Sequence, residues 1–306
     1  MSCQKVWRGA AILGIAAASI VSGCAGLGGT TAAYGNTAPR RLPPLPKSIA
    51  ERGRFIIGVK CDLPPFGYRD SQNHLAGFDI QVAQRLSGLA FHQSSRISYV
   101  CVTTTSRIPM LRSGQVDMII ATLSWTKARA KTIEYSTPYF EATGRLLVRS
   151  GGGVMSLAAL RGKTVVTTRG SVYVTWAKTC LKGTNLQQVD GTGAALSSVA
   201  DGQTSGFLYD DAFLEGATAN NASLTLTSDR FLGIPWGIGL RKNEATLRTW
   251  VDAAIAQMKA GDEFYKILVG SPASSGLSGF ANQVPRPQVT LRYPTHENPL
   301  TDCQTS

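Results

Sequence analysis

Short apolar segments alternate with segments of helical periodicity through most of the chain, and this alternation constrains the fold more than any other feature. F-I-I-G-V-K (55–60) predicts a buried strand, and 77–90 carries apolar residues at helical spacing. A second series of the same kind begins near Leu157. Further strands are predicted at 97–102, 116–121, 163–168, 186–190, 206–210, 224–227 and 234–240, and further helices at 107–114, 172–181, 194–200, 212–219 and 244–259. This pattern predicts an α/β protein with mainly parallel sheets flanked by helices, and the two series predict two lobes.

The residues that directly follow the predicted strands are the candidates for a binding site, because open α/β sheets bind ligands beyond the carboxyl ends of their strands. These positions are Lys60, 104–107, 122–129, 169–171 and Asp210. The loop A-T-L-S-W-T-K-A-R (121–129) offers three hydroxyls, one indole and one guanidinium, but no histidine or carboxylate. Such a loop suits polar binding better than acid–base chemistry.

The first residues have the features of an export signal. Lys5 and Arg8 form a short basic region, and the apolar stretch 10–21 is too short to span a bilayer. V-S-G-C (21–24) resembles a bacterial lipobox, which predicts a signal peptide at 1–23 and a lipid on Cys24. The alternative is a plain secretory signal that contains a cysteine. Residues 24–50 are then predicted to be a lipid anchor and flexible tether on the outer face of the cell membrane.

Charge and composition disfavour nucleic acid as a partner. The formal net charge of +12 becomes about +10 when the predicted signal is removed. The basic residues are spread along the chain, with no run longer than Arg40-Arg41 and no interleaving with aromatic residues. The C-terminal segment 271–306 is rich in Ser, Pro and other polar residues, and it is predicted to be a poorly ordered extension that packs little.

Four of the six cysteines lie outside the predicted signal and anchor, and an exported protein permits disulfides. Cys61 and Cys101 lie at or near the ends of two predicted strands that could be neighbours, so a disulfide between them is possible. Free buried thiols are an equal alternative, and the pairing that involves Cys180 and Cys303 stays open. The cysteine spacing does not match a metal site.

Several strand-end phrases resemble family 3, the polar amino acid class, of the solute-binding proteins of ABC transporters. The phrases are P-P-F-G-Y-R-D (64–70), G-F-D-I (77–80), R-I-P-M-L-R-S-G-Q-V-D (107–117), A-T-L-S-W-T-K-A-R (121–129), Y-S-T-P-Y-F (135–140), L-A-A-L-R-G-K-T-V (157–165) and W-G-I-G-L-R-K (236–242). They cover about 52–268 in the family's order. Ser205-Gly206 departs from the family's usual Asp-Ala, the last helix lacks its usual tryptophan, and the tail past residue 270 has no family counterpart.

The resemblance implies a two-lobed periplasmic-binding-protein fold. Lobe 1 is expected at 51–139 and 240–270, and lobe 2 at 145–234. A two-crossing hinge is expected to join them near 138–144 and 234–239. Ligand binding is then expected to favour the closed arrangement of the lobes.

The resemblance also implies a role for individual residues. Arg129 matches the family's carboxylate-binding arginine, whose guanidinium can form two parallel charge-assisted hydrogen bonds. Thr122 and Ser124 match ligand-contact positions, although hydroxyls before a helix are also ordinary caps. Ser171 is expected to reach the same carboxylate from the start of a helix in the other lobe. Asp210 matches the aspartate that binds the ligand's ammonium group.

The side-chain pocket is expected to favour glutamate or aspartate, with glutamine or asparagine as weaker ligands. In the acidic branch of the family, one arginine opens the R-I-P helix and a second basic residue follows the first strand; here these are Arg107 and Lys60. Two cations that face one crevice repel each other unless an anion lies between them. Phe66 is expected to line the pocket wall. The alternative for Lys60 is that it points to solvent.

The resemblance implies a monomeric, extracytoplasmic lipoprotein that has no cofactor and delivers its amino acid to a membrane permease with an ATPase partner. One alternative is a sensor that signals to a receptor or kinase. A second is an enzyme similar to cyclohexadienyl dehydratase, which requires a positioned general acid or base. Asp210 is the only acid expected in the crevice, and His74, His92 and His296 are scattered through predicted loops and the tail.

Overall fold

Two long strands that run side by side through the centre of the sheet organise the fold. The computed structural model describes residues 41–270, 276–294 and 299–304. The predicted signal peptide, Cys24 and most of the predicted tether therefore lie outside the described residues. Pro39–Ser306 forms one compact unit.

The described chain contains nine α-helices, eleven strands and three short 3-10 turns. The helices are α1 (Lys47–Arg52), α2 (Phe78–Phe91), α3 (Arg107–Arg112), α4 (Lys127–Ala130), α5 (Val172–Cys180), α6 (Thr192–Ala200), α7 (Asp211–Ala219), α8 (Ala245–Ala260) and α9 (Glu263–Gly270). The strands are β1 (Phe55–Val59), β2 (Asp62–Leu63), β3 (Gly67–Arg69), β4 (Leu75–Ala76), β5 (Ile97–Cys101), β6 (Met118–Ile119), β7 (Glu134–Arg149), β8 (Thr164–Thr168), β9 (Asn185–Val189), β10 (Gly206–Asp210) and β11 (Leu224–Leu240). The 3-10 turns are Leu157–Leu160, Ser278–Gln283 and Pro299–Thr301.

Eight strands form one sheet in the order β5-β1-β6-β11-β7-β10-β8-β9. At one end β1 is parallel to β5 and β6, and at the other end β8 is parallel to β9 and β10. Between these groups β7 and β11 pair antiparallel, with β11 also bound to β6 and β7 also bound to β10. Each long strand thus passes from one parallel group to the other, which confirms the predicted α/β fold of two lobes.

The late part of the sheet differs from the sequence prediction. Two separate strands were expected at 224–227 and 234–240, whereas β11 is one strand of 17 residues. Its pairing with β7 contains register shifts, two of which lie within the stretch between Leu226 and Ile234. A bulge interrupts the two-residue alternation of apolar and polar residues that predicts a strand. The polar residues at these bulges therefore predicted a loop between two strands.

An aromatic cluster fills the interior where the long strands pass between the lobes. Phe66 is fully buried there, with its ring 5.3 Å from Phe140 and 4.8 Å from Trp236 between centroids. Phe78 packs on the same group. In lobe 2, Trp176 stacks on Phe231 of β11 at 4.0 Å.

The C-terminal segment packs against the rest of the protein, so the prediction that 271–306 packs little is wrong for the described residues 276–294 and 299–304. Leu277, Phe280 and Val284 are buried in the main core. These apolar residues are isolated in a Pro- and Ser-rich stretch and show no helix or strand period. Periodicity therefore could not identify them as core residues.

The four described cysteines form two disulfides. Cys61–Cys101 joins the ends of the neighbouring parallel strands β1 and β5, which was one of the two alternatives. Cys180–Cys303 joins the end of α5 to the C-terminal segment. Within the described ranges, no helix is long and apolar enough to cross a membrane.

Candidate functional site

The loops that follow the parallel strands of both lobes meet in a crevice between the lobes. Arg129 of lobe 1 donates from Nη2 to the Gly170 carbonyl of lobe 2 at 2.8 Å. A Cβ on Gly170 would lie 3.1 Å from the Thr105 methyl of lobe 1, so the two walls are in close contact. The crevice is therefore closed in this structure.

Arg129 lies in the short helix α4, which Thr126 caps by accepting a hydrogen bond from the Arg129 backbone N–H at 3.1 Å. The second guanidinium nitrogen, Nη1, donates to the Ser124 carbonyl at 2.8 Å. The guanidinium thus contacts both lobes, as expected for a residue that holds a ligand at their junction. Thr126 acts as the cap of α4.

The loop that carries Thr122 and Ser124 is fixed to the long strands. Trp125 N–H donates to the Pro235 carbonyl at 2.8 Å, and Ser124 forms a β-bridge with Trp236 of β11. Thr122 adopts a left-handed φ of 48°, which is costly for a β-branched residue and requires support from its surroundings. Both Thr122 and Ser124 are buried.

Asp79 supplies that support, and sequence reasoning did not identify it. Its Oδ2 accepts from the Thr122 backbone N–H and its Oδ1 accepts from the Tyr139 hydroxyl, each at 3.0 Å. Burial raises the Asp79 pKa to about 7, although both hydrogen bonds and the Arg107 charge act in the opposite direction. The available signal was the G-F-D-I phrase, but a local phrase does not show which distant backbone group the carboxylate binds.

Arg107 lies at the start of α3 and is only 3% exposed. Its Nη1 donates to the Ala121 carbonyl at 2.5 Å and to the Thr122 carbonyl at 3.1 Å, whereas its buried Nε has no hydrogen-bond partner. Burial and then the Arg129 charge lower the Arg107 pKa to about 10. Tyr209, Tyr135 and Asp210 act in the opposite direction, by raising the Arg107 pKa.

Lys60 follows β1 and is also only 3% exposed, so the alternative in which it points to solvent is wrong. Its Nζ lies 3.0 Å from Oδ1 of the partly exposed Asp62. Burial lowers the Lys60 pKa, the Asp62 charge opposes this, and the Arg107 charge lowers it further. The charges of Lys60 and Arg107 therefore repel each other, and their contact with a ligand side chain stays a prediction.

Lobe 2 contributes Asp210 at the end of β10, where it is 4% exposed. Its Oδ1 accepts from the Tyr173 hydroxyl at 2.6 Å. Burial raises the Asp210 pKa to about 7, opposed by this hydrogen bond and by the charges of Arg107 and Arg129. Asp210 makes no capping hydrogen bond to α7, whereas Asp211 accepts from the Ala212 N–H.

Ser171 lies in the crevice, whereas Phe66 lies in the buried aromatic cluster. Ser171 is the N-cap residue of α5, makes no capping bond with its side chain, and directly follows Gly170 in the crevice. Its hydroxyl lies 3.1 Å from that of Thr167. Phe66 belongs to the buried aromatic cluster, so its role as a pocket wall stays a prediction.

The crevice therefore brings the charges of Arg107 and Arg129 close to the buried carboxyl group of Asp210, and Lys60 lies within reach of the Arg107 charge. This excess of positive charge suits an anionic ligand that also carries one positive group. His74 and His92 are exposed and lie on the surface of lobe 1, while His296 is outside the described residues. The part of the chain that the structure describes contains no group of three or more metal-ligating side chains placed to hold a metal ion.

Comparison with known proteins identifies the family. The family described as bacterial extracellular solute-binding proteins, family 3, matches residues 55–269. The ABC transporter glutamine-binding protein GlnH of Bacillus subtilis (strain 168) is 30% identical over 224 residues, which cover 72% of this chain and 82% of that protein. The glutamine-binding protein of Geobacillus stearothermophilus is 30% identical over 244 residues, which cover 78% and 93%.

A solved structure agrees with the fold. The solute receptor for L-cysteine of Neisseria gonorrhoeae superposes with a TM-score of 0.71 at 23% identity, and the match covers 74% of this chain and 92% of that one. Other matching proteins are named for cystine, histidine, or glutamate and aspartate. The chain therefore belongs to family 3 of the bacterial extracellular solute-binding proteins.

Proposed function

We propose that the crevice binds an acidic amino acid, L-glutamate or L-aspartate, with glutamine and asparagine as weaker ligands. The coarser function follows from the family: the chain is an extracytoplasmic amino-acid-binding protein of an ABC transporter. The identity of the amino acid is the new element, because the matching proteins are named for several different ones.

The excess of buried positive charge carries this proposal. Arg129 is assigned the ligand's α-carboxylate and Asp210 its ammonium group, so a neutral zwitterion is already matched by this pair. Arg107 and Lys60 then remain as two buried cations; burial lowers the Lys60 pKa, and repulsion from the Arg107 charge lowers it further. A side-chain carboxylate offsets this repulsion, whereas an uncharged amide leaves Lys60 with only the partly exposed Asp62 as a counter-ion and Arg107 with backbone carbonyls as its hydrogen-bond acceptors.

The unpartnered Nε of Arg107 supports the same assignment. A buried guanidinium nitrogen without a hydrogen-bond partner is costly, and a carboxylate oxygen is the acceptor that suits it best. Ser124, Thr122 and Ser171 are assigned hydroxyl or backbone contacts to the α-carboxylate. The ligand bridges the lobes and so favours the closed state; a micromolar affinity corresponds to about 8 kcal/mol.

Calorimetric titration of Pro39–Ser306 with L-glutamate, L-aspartate, L-glutamine, L-asparagine and L-arginine tests the proposal. We expect micromolar or tighter binding of glutamate or aspartate, at least about tenfold tighter than the amides, since one charge-assisted hydrogen bond is worth about 1.5–3 kcal/mol. Tighter binding of glutamine than of either acidic amino acid would contradict the assignment.

Arg107→Met separates the side-chain pocket from the rest of the site. The change should weaken glutamate about 10- to 150-fold and glutamine much less, because only glutamate loses an ion pair. Arg107 also binds the Thr122 carbonyl, so the ratio of the two affinities is the informative quantity. Lys60→Met should shift this ratio in the same direction.

Arg112→Met is the matched control, since Arg112 lies on the same helix but is exposed. It should leave both affinities unchanged. Equal weakening of glutamate and glutamine by both Arg107→Met and Lys60→Met would refute the acidic pocket.

We also propose the lipid anchor on Cys24 and the signal peptide at 1–23 as the basis of localisation. The supporting observation is the V-S-G-C sequence at 21–24. Mass spectrometry of the membrane-bound protein should find a lipid-modified Cys24 as the first residue, and Cys24→Ala should release the protein from the membrane. An unmodified mature N-terminus at another position would contradict the anchor.

A further inference from the structure

The C-terminal strap, defined as the described residues 276–294 and 299–304, lies beyond the part of the chain that matches the family. One part of it packs on lobe 1. Arg286 forms an ion pair with Asp262 at 2.9 Å, and its guanidinium lies 3.8 Å from the centre of the Tyr265 ring. This part of the strap is therefore held by a specific polar contact as well as by apolar burial.

The strap then reaches the wall of the binding crevice through Tyr293. The Tyr293 hydroxyl donates to the Ser136 carbonyl of β7 at 2.7 Å. Its ring stacks on Trp125 at 5.7 Å and packs on Tyr135 at 5.8 Å between centroids. Trp125 adjoins Ser124, whose carbonyl accepts from Arg129, so this attachment lies directly behind the ligand loop of lobe 1.

Beyond this point the strap is attached to lobe 2. The Asp302 carbonyl accepts from the Trp176 indole N–H at 2.9 Å, and Cys303 forms the disulfide with Cys180. Both partners lie on α5, the helix that begins after Gly170 and Ser171. The second attachment is therefore on the helix whose first turn forms the opposite wall of the crevice.

A third contact is made by Gln283, which precedes both attachments in the sequence. Gln283 Nε2 donates to Asp211 Oδ2 at 3.1 Å, and Asp211 Oδ1 accepts from the Thr143 N–H of β7. Asp211 directly follows the ammonium-binding candidate Asp210. The strap therefore contacts lobe 1, the passage of β7 between the lobes, and lobe 2.

We infer that the C-terminal strap is a third connection between the lobes, closed by the Cys180–Cys303 disulfide, and that it limits how far the binding crevice opens. The first two connections are β7 and β11. Six residues lie between Tyr293 on lobe 1 and the buried Leu300 on lobe 2, and the seven Cα–Cα steps of a fully extended chain span at most about 25 Å. Opening cannot separate the two attachments further while both are intact.

A limit on opening affects ligand binding through the population of the closed state. Without the strap the open state gains conformational freedom, so the closed state is less populated and the apparent affinity falls. The affinity readout rests on the proposed glutamate ligand. The shape of the ligand-free protein does not depend on which ligand is bound, so the two proposals can fail separately.

Two variants of Pro39–Ser306 test the strap. Cys303→Ser removes the covalent attachment to lobe 2. The second variant inserts about ten Gly and Ser residues after Pro294, which adds about 18 Å of flexible reach but keeps the disulfide and every described contact. The control carries the same insertion after Gly152, in an exposed loop within lobe 2.

Small-angle X-ray scattering without ligand and calorimetry with L-glutamate are the measurements. We expect both strap variants to show a larger radius of gyration than the parent and the control. We also expect an affinity for glutamate that is about fivefold weaker or more, the lower end of typical coupling between sites. Unfolding temperatures identify any general loss of stability.

Two results would overturn the inference. If the insertion after Pro294 leaves the radius of gyration and the affinity at the parent values while Cys303→Ser changes them, the disulfide only stabilises lobe 2 locally. If neither variant changes the radius of gyration, the two long strands alone limit the opening. If glutamate fails to bind any variant but the radius of gyration increases as expected, the strap is supported and the proposed ligand is refuted.

Discussion

Glutamate binding should weaken as the pH falls, because Asp210 must be ionised to bind the ammonium group of the ligand. Burial raises the pKa of Asp210 to about 7, even though the Tyr173 hydroxyl and two arginine charges favour its ionised form. A bound ammonium group stabilises the carboxylate further, so binding releases a proton from Asp210 below about pH 7. The affinity should therefore increase with pH and reach a plateau above about pH 8.

The size of the effect follows from the pKa. At about pH 6 roughly one site in ten carries the carboxylate, and at about pH 5 roughly one in a hundred. The affinity should therefore fall about tenfold and about a hundredfold from its plateau, or by about 1.4 and 2.7 kcal/mol. The ligand itself stays ionised over most of this range, since the free side-chain pKa of glutamate is about 4.3.

Calorimetry in two buffers of different ionisation enthalpy measures both the affinity and the number of protons released. We expect release of about 0.9 proton per glutamate near pH 6 and almost none above about pH 8. An affinity that is constant from about pH 6 to about pH 8, with no proton release, would refute the role of Asp210. Tyr173→Phe provides a directional check, because loss of its hydrogen bond should raise the Asp210 pKa and move the whole profile to higher pH.

Three further predictions concern stability and the ligand carboxylate. Asp79 holds its proton to about pH 7 in the folded state but releases it near pH 4 when unfolded. The free energy of unfolding should therefore decrease as the pH rises between these values. Asp79→Asn should remove at most about 4 kcal/mol of this decrease, as measured by urea unfolding. A pH profile of the Asp79→Asn variant identical to the parent's would exclude this linkage. Arg129→Lys should weaken glutamate and glutamine equally in calorimetry, because both lose the planar two-pronged contact to the α-carboxylate; a selective loss of one would show that Arg129 reads the side chain. Phe66→Ala should cost about 3–5 kcal/mol of stability with little change in ligand preference, since the ring is buried in the aromatic cluster. A changed preference without a stability cost would show that Phe66 lines the ligand pocket.

The candidate site was largely predictable because its residues follow strands. Lys60, Arg107, Arg129 and Asp210 were selected from that rule and from family phrases, and the structure brings the charges of Arg107, Arg129 and Asp210 together across the crevice. The rule applies because parallel strands end at the same edge of a sheet, so residues distant in sequence become neighbours there. The strand-end rule does not predict which buried groups support these residues, and the sequence analysis missed Asp79 for this reason.

Phe66 shows a second limit of the sequence analysis. The P-P-F phrase marks a position close to the binding loops but does not give the direction of the ring. The ring packs on Phe140 and Trp236, which come from the two long strands. This contact depends on how the two strands pair, and strand pairing between segments about a hundred residues apart has no local signature.

The sequence by itself determined the alternation of parallel strands and helices, the two-lobed α/β class and the chemical character of the strand ends, because all three depend on local periodicity and on short phrases. It predicted neither the long strand β7 nor the continuity of β11. Only the tertiary structure decided the disulfide pairing, the buried support of Thr122 by Asp79, and the packing of the strap on both lobes. Each of these depends on contacts between residues about 40 to 160 positions apart. Such contacts are set by the way the sheet brings its strands and loops together, which no short stretch of sequence specifies.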